Sequence, residues 1–107
     1  MISWAYLAFA IIFEVIGTIS LKYSSLTNNH LYSALTAICY IVSFVLLWFT
    51  IKKLDIGMAY AIWAGIGTAV ISVLGFLIFK EQITLIKVLF ICLIIVGVVG
   101  LKYTSAQ

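Results

Sequence analysis

Four long apolar runs joined by short polar connections constrain this chain more than any other feature. A helix crossing the roughly 30 Å hydrocarbon core of a membrane needs about 20 mostly apolar residues. Four runs reach that length, at about residues 2–21, 31–51, 56–79 and 85–101. They end at Lys22, Lys52-Lys53, Lys80-Glu81 and Lys102. The longest polar stretch between them is Ser24-Ser25-Leu26-Thr27-Asn28-Asn29-His30. Hydrocarbon offers no water to free backbone groups, so runs of this kind must close their hydrogen bonds internally, as helices. The expected fold is an all-α membrane protein, with residues 1–107 forming one domain of four transmembrane helices. A hydrophobic content of 66% and a charged content of 8% exclude a soluble domain, which carries about 25% charged residues. A signal peptide would account for one run, not four.

The chain has no proline, the usual source of a sharp kink, so the helices should run unbroken. Its basic residues are six lysines near the ends of the runs. They read as interfacial anchors in contact with membrane lipid, not as a nucleic-acid surface. Cys39 and Cys92 lie inside predicted helices with no ligand spacing around them, and read as small buried apolar residues. Asp55 precedes the third run and is placed to cap it, where its charge also suits the helix dipole. His30 falls in the polar loop. No nucleophile–base pair, metal-ligand spacing or phosphate-binding loop is present, so neither an enzyme, a cofactor nor a metal is expected.

With four spans, the N-terminus, the second connection and the C-terminus share one side of the membrane. That side carries Lys52, Lys53 and Lys102; the other carries Lys22, Lys80 and Lys87. Orientation is set by an excess of lysine and arginine on the cytoplasmic side. An even count predicts that the chain inserts both ways round and forms an antiparallel, dual-topology homodimer. A bundle this small has little interior for a charge, a ligand and a route to both sides. A second copy would supply it.

Of three acids, only Glu14 sits inside an apolar run. Insertion scales put a central charge at about 2.5–3.5 kcal/mol, so an intramembrane acid is by default a functional residue. Residues three, four and seven apart share a helix face. From Glu14 that face holds Ala10, Gly17 and Thr18, small or hydroxylated residues that let a ligand or another helix approach. Thr18 can also donate to the carboxylate. In the third run Tyr60, Trp63 and Gly67 share a face, with Gly65 beside them. Trp63 lies deeper than the interfacial belt, which Trp4 and Trp48 fit. Desolvated aromatic faces attract cations by about 2 kcal/mol or more. In the second run Tyr40, Phe44 and Leu47 share a face. In the fourth, Gly97 and Gly100 suggest a helix-contact surface. Each small-residue face also has a plain packing reading, common in membranes.

Taken together, Glu14-Val15-Ile16-Gly17-Thr18, Leu21-Lys22, Tyr40, Ser43-Phe44, Leu46-Leu47, Gly57, Ala59-Tyr60-Ala61-Ile62-Trp63, Gly65, Gly67, Phe79-Lys80-Glu81-Gln82 and Gly97 resemble the small multidrug resistance family of bacterial exporters. The resemblance implies a multi-pass protein of the bacterial cytoplasmic (inner) membrane. It implies a proton-coupled antiporter, working as an antiparallel homodimer, that expels quaternary ammonium and other lipophilic cations. Glu14 would bind substrate or protons in turn. Tyr40, Tyr60 and Trp63 would line the pocket, with Ala10, Gly17, Thr18, Phe44 and Leu47 around them, while Gly65 and Gly67 would support conformational exchange. Two positions bear on the details. Phe90 stands where the family often has a glycine, seven residues before Gly97. Gly17 stands where the guanidinium-exporting branch usually has tryptophan, whereas Gly100-Leu101-Lys102 looks more like that branch. Guanidinium or polyamine export on the same fold, and a non-transporting membrane subunit whose Glu14 pairs with another protein, are the alternative readings.

Overall fold

The computed structural model describes residues 2–104. Four helices follow in order: α1 (Ile2–Thr27), α2 (His30–Thr50), α3 (Ile56–Phe79) and α4 (Leu85–Thr104). All four are long and apolar enough to cross a membrane. Leucines, isoleucines and phenylalanines stand exposed along every one of them, as suits helices whose outer faces meet lipid.

α1 runs six residues beyond the expected end of its span. Lysine and serine end an apolar stretch, but they do not end a helix. The Ser25 hydroxyl donates to the Lys22 carbonyl at 2.7 Å and Thr27 to that of Tyr23 at 2.7 Å, so these side chains bond back along the helix. Asn28 stops it with a left-handed φ of 54°, a conformation asparagine tolerates. Asn29 then caps α2, its side chain accepting from the Leu31 N–H at 2.9 Å. The α1–α2 connection is therefore Asn28 and Asn29 alone, and His30 opens α2. α4 likewise continues three residues past the expected Leu101. Asp55 holds the N-cap position of α3 with extended backbone, yet its side chain makes no capping bond; the first turn is tied only by its carbonyl, which accepts from the Ala59 N–H at 2.9 Å.

α1 and α2 form a closely sutured antiparallel pair. Ser43 donates to the Ala10 carbonyl at 2.6 Å, and Thr36 to the Gly17 carbonyl at 3.0 Å. Donors and acceptors are each seven residues apart, so the contact recurs every two turns on both helices. Buried Thr50 and buried Ser3 extend the same spacing by seven residues more. Small residues bring the backbones close, and interhelical hydrogen bonds in membranes contribute about 0.6 kcal/mol each, up to about 1.7.

The apolar core lies beside this pair. Leu7, Leu54, Met58, Ala59, Ile62 and Val98 pack together, with Trp4 and Trp63 against them. Val98 is the one buried residue of α4 among those described, and α4 packs chiefly on α3. Cys39 is buried as expected, whereas Cys92 is exposed, because its face of α4 meets no other helix. The Cα extents are 45 × 34 × 17 Å. The helices thus form a slab half as thick as it is wide.

Candidate functional site

Glu14 lies midway along α1, where the α1–α2 seam meets α3. Its carboxylate points across to α3 and rests on Gly67. A Cβ on Gly67 would stand 2.6 Å from Oε2, so any side chain there would push the carboxylate from its place. Oε2 is buried without a hydrogen-bond partner. A buried polar atom left unpaired costs about 1–3 kcal/mol, and more when it is charged.

The other oxygen faces a hydroxyl pair. Thr18 Oγ1 lies 2.9 Å from the Glu14 carbonyl, 3.4 Å from Glu14 Oε1 and 2.6 Å from the Tyr40 hydroxyl. A threonine has one proton to donate. If Tyr40 donates to Thr18, that proton stays free for α1, where it can serve either the Glu14 carbonyl or Oε1, the carbonyl being the nearer. Tyr40 reaches Thr18 by lying across Gly17. A Cβ there would stand 2.8 Å from Cδ1 and Cε1 of the Tyr40 ring.

A cleft of about 190 Å³ opens between Glu14, Tyr40, Ser43, Phe44 and Trp63. It adjoins a second, more apolar cleft of about 250 Å³ lined by Phe44, Leu47, Ile51, Ile56, Tyr60 and Trp63. Phe44 and Trp63 wall both. Their ring centroids are 5.5 Å apart, and those of Tyr60 and Trp63 are also 5.5 Å apart, within the usual range of aromatic pairs. Trp63 Nε1, a donor, is buried without a partner. The region therefore holds an unpaired acceptor on α1 and an unpaired donor on α3.

The structure thus gathers Glu14, Thr18, Tyr40, Phe44, Leu47, Tyr60 and Trp63 in one region. Ala10 and Gly17 lie instead in the α1–α2 seam, where their carbonyls take hydroxyls from α2. Ala10 is wholly buried, and Gly17 is covered by Tyr40 and Cys39. Gly65 packs against α4, with Val98 Cγ2 2.7 Å from where its Cβ would be. Gly67 belongs to the acid's own surroundings. Gly97 and Gly100 face open space in the single chain. Ser43 joins the site although it was not among the expected pocket residues. Its place three residues after Tyr40, on the same helix face, was the available signal.

Fold and site together define a class: a small, multi-pass, four-helix membrane protein with one carboxylate set among aromatic rings. Residues 2–94 match the family model described as Small Multidrug Resistance protein. The chain belongs to the small multidrug resistance family, whose members are transporters of bacterial membranes and not enzymes. The match stops short of Gly97 and Gly100. A relative from Bacillus subtilis (strain 168), described as the uncharacterized membrane protein YvaE, is 44% identical over 100 residues, covering 94% of this chain and 84% of its own length.

Proposed function

We propose that this protein is a proton-coupled antiporter that exports lipophilic and quaternary ammonium cations, with Glu14 as the group that proton and substrate share. The observation that carries this reading is the unpaired, buried Oε2 of Glu14 at an aromatic-walled cleft. A carboxylate without a protein counter-ion, deep in hydrocarbon, is neutralised by a proton or by a bound cation. The two compete for one site, and such competition is the simplest source of antiport.

The cleft chemistry favours a lipophilic cation over guanidinium. Guanidinium carries N–H donors around its whole edge and needs several acceptors. Ser43 already spends its proton on Ala10, and the adjoining cleft is walled by apolar and aromatic side chains. A quaternary ammonium needs no acceptor, only charge and aromatic faces. Gly17 fits the same reading, because a tryptophan at that position would displace Tyr40.

The slab shape and the even lysine count support an antiparallel homodimer, in which two Glu14 carboxylates share one chamber larger than either cleft alone. Exchange of conformation between two oppositely oriented copies then presents the same site to each side in turn, the logic of inverted repeats in larger transporters. Gly65 and Gly67 would accommodate the shift of α3. The test is binding and exchange in proteoliposomes. Tetraphenylphosphonium should bind in competition with protons, and release protons on binding. Glu14→Gln should abolish proton-driven uptake while leaving insertion and dimerisation intact. Undiminished exchange by Glu14→Gln would sink the assignment, and tighter binding of guanidinium than of tetraphenylphosphonium would move the chain to the other branch.

A further inference from the structure

We propose that the groove between α1 and α4 is a binding site for an anionic phospholipid, with its phosphate on Lys102 and an acyl chain laid along the groove. The groove has a volume of about 360 Å³. It exists because α1 and α4 both pack on α3 and leave a slot between them. Leu7, Ile62 and Val98 form its buried floor, and Trp4, Lys102 and Tyr103 stand at its mouth.

The two ends of the groove have opposite chemistry. Lys102 Nζ lies 5.3 Å from the centroid of the Trp4 ring, a cation held over an aromatic face. A lysine and two amphipathic aromatics at one level mark the headgroup region of a bilayer. Away from that mouth the lining is aliphatic. A single positive charge above a dry slot matches a molecule with one anionic end and one hydrocarbon tail. No acidic residue lines the groove among the described residues, so nothing there competes with a phosphate for the ammonium.

Charge also decides against a second copy as the occupant. Each end of this chain carries three lysines and a single acid, Asp55 at one end and Glu81 at the other. A neighbouring copy would therefore have one carboxylate per end, set among three lysines, to offer Lys102. An anionic lipid brings the complement. One lysine near an anionic headgroup is expected to favour it by roughly fivefold.

The test uses Trp4 as the reporter. Trp48→Phe and Trp63→Phe in the full chain leave Trp4 as the one tryptophan, in phosphatidylcholine vesicles containing brominated phosphatidylglycerol or brominated phosphatidylcholine. Brominated phosphatidylglycerol should quench Trp4 with roughly fivefold higher apparent affinity. Lys102→Gln should remove that preference, and Ala8→Phe, which fills the groove, should remove it too. Lys52→Gln, over the Phe49 ring and outside the groove, should leave it unchanged. Helical circular dichroism identifies any variant that has not folded, and Lys102→Gln, a surface change, keeps the test open if Ala8→Phe fails. Equal quenching by the two lipids, or a preference that survives Lys102→Gln, would overturn the proposal. So would shielding of Trp4 from both lipids, which would mean that protein covers the groove. Reversal of the preference by millimolar inorganic phosphate would reduce the site to a free-anion contact and overturn the acyl-chain assignment.

Discussion

Gly17→Ala tests whether the α1–α2 seam positions the residues around Glu14. The new Cβ would stand 2.8 Å from two carbons of the Tyr40 ring and 3.2 Å from Cys39 Cβ. Comfortable carbon–carbon contact begins at about 3.5 Å, so the ring must retreat by about 0.7 Å. Directed away from Thr18, a shift of that size in the phenol oxygen stretches its 2.6 Å bond to Thr18 past the about 3.0 Å limit of a good O–H···O bond. Overpacking of this size costs about 1–3 kcal/mol. A glycine-to-alanine change inside a helix also gains about 0.8–1.0 kcal/mol of propensity, which masks part of the loss. A double-mutant cycle with Tyr40→Ala removes the mask, because the propensity gain enters both arms equally. In the Tyr40→Ala background Gly17→Ala should be neutral or stabilising; with Tyr40 present it should be destabilising. The coupling energy should be about 1–3 kcal/mol, read by reversible unfolding in mixed micelles. Tetraphenylphosphonium affinity should fall in Gly17→Ala as in Tyr40→Phe. Equal effects of Gly17→Ala with and without the Tyr40 ring would refute the reasoning.

Three further outcomes follow from the same geometry. Gly67→Ala places a methyl 2.6 Å from Glu14 Oε2, so it should weaken cation binding at least tenfold by about 1.4 kcal/mol or more while the dimer persists; isothermal titration checks it. Trp63→Ala removes the wall common to both clefts and should weaken aromatic cations more than tetramethylammonium, so a uniform loss across both would argue against stacking. Thr36→Val and Ser43→Ala should each destabilise by about 0.6–1.7 kcal/mol in the same unfolding assay, and Ser43→Ala should do so without altering which cations bind.

Hydropathy made the four spans legible, because hydrocarbon thickness sets the length of an apolar run. It did not reveal where α1 ends, since the helix leaves the apolar stretch and continues on hydroxyls that bond to its own carbonyls. Helical spacing correctly set Thr18 beside Glu14 and Phe44 beside Tyr40. It left open which helix packs on Ala10 and Gly17, because face-sharing on one helix does not say which neighbour covers that face. α2 covers these two. The spacing of Thr36, Ser43 and Thr50 carried that information: three hydroxyl residues seven apart mark a stripe aimed at one neighbour. The rest of Glu14 on Gly67 was not legible, since it depends on how two helices cross.

The seam between α1 and α2 divides its demands unequally. α2 contributes hydroxyls, which must be serine or threonine to donate. At Ala10 and Gly17 α1 contributes backbone carbonyls, which every residue possesses, so at these two positions its side of the contact is set by volume alone. Substitutions on α1 at Ala10 and Gly17 should be tolerated or rejected by size, whatever their polarity, whereas those on α2 at Thr36 and Ser43 should be judged by chemistry. The helix that carries the proposed coupling acid is thus held in register at these two positions by a neighbour that reads its backbone, while its other faces pack Leu7 into the core and set Glu14 against Gly67.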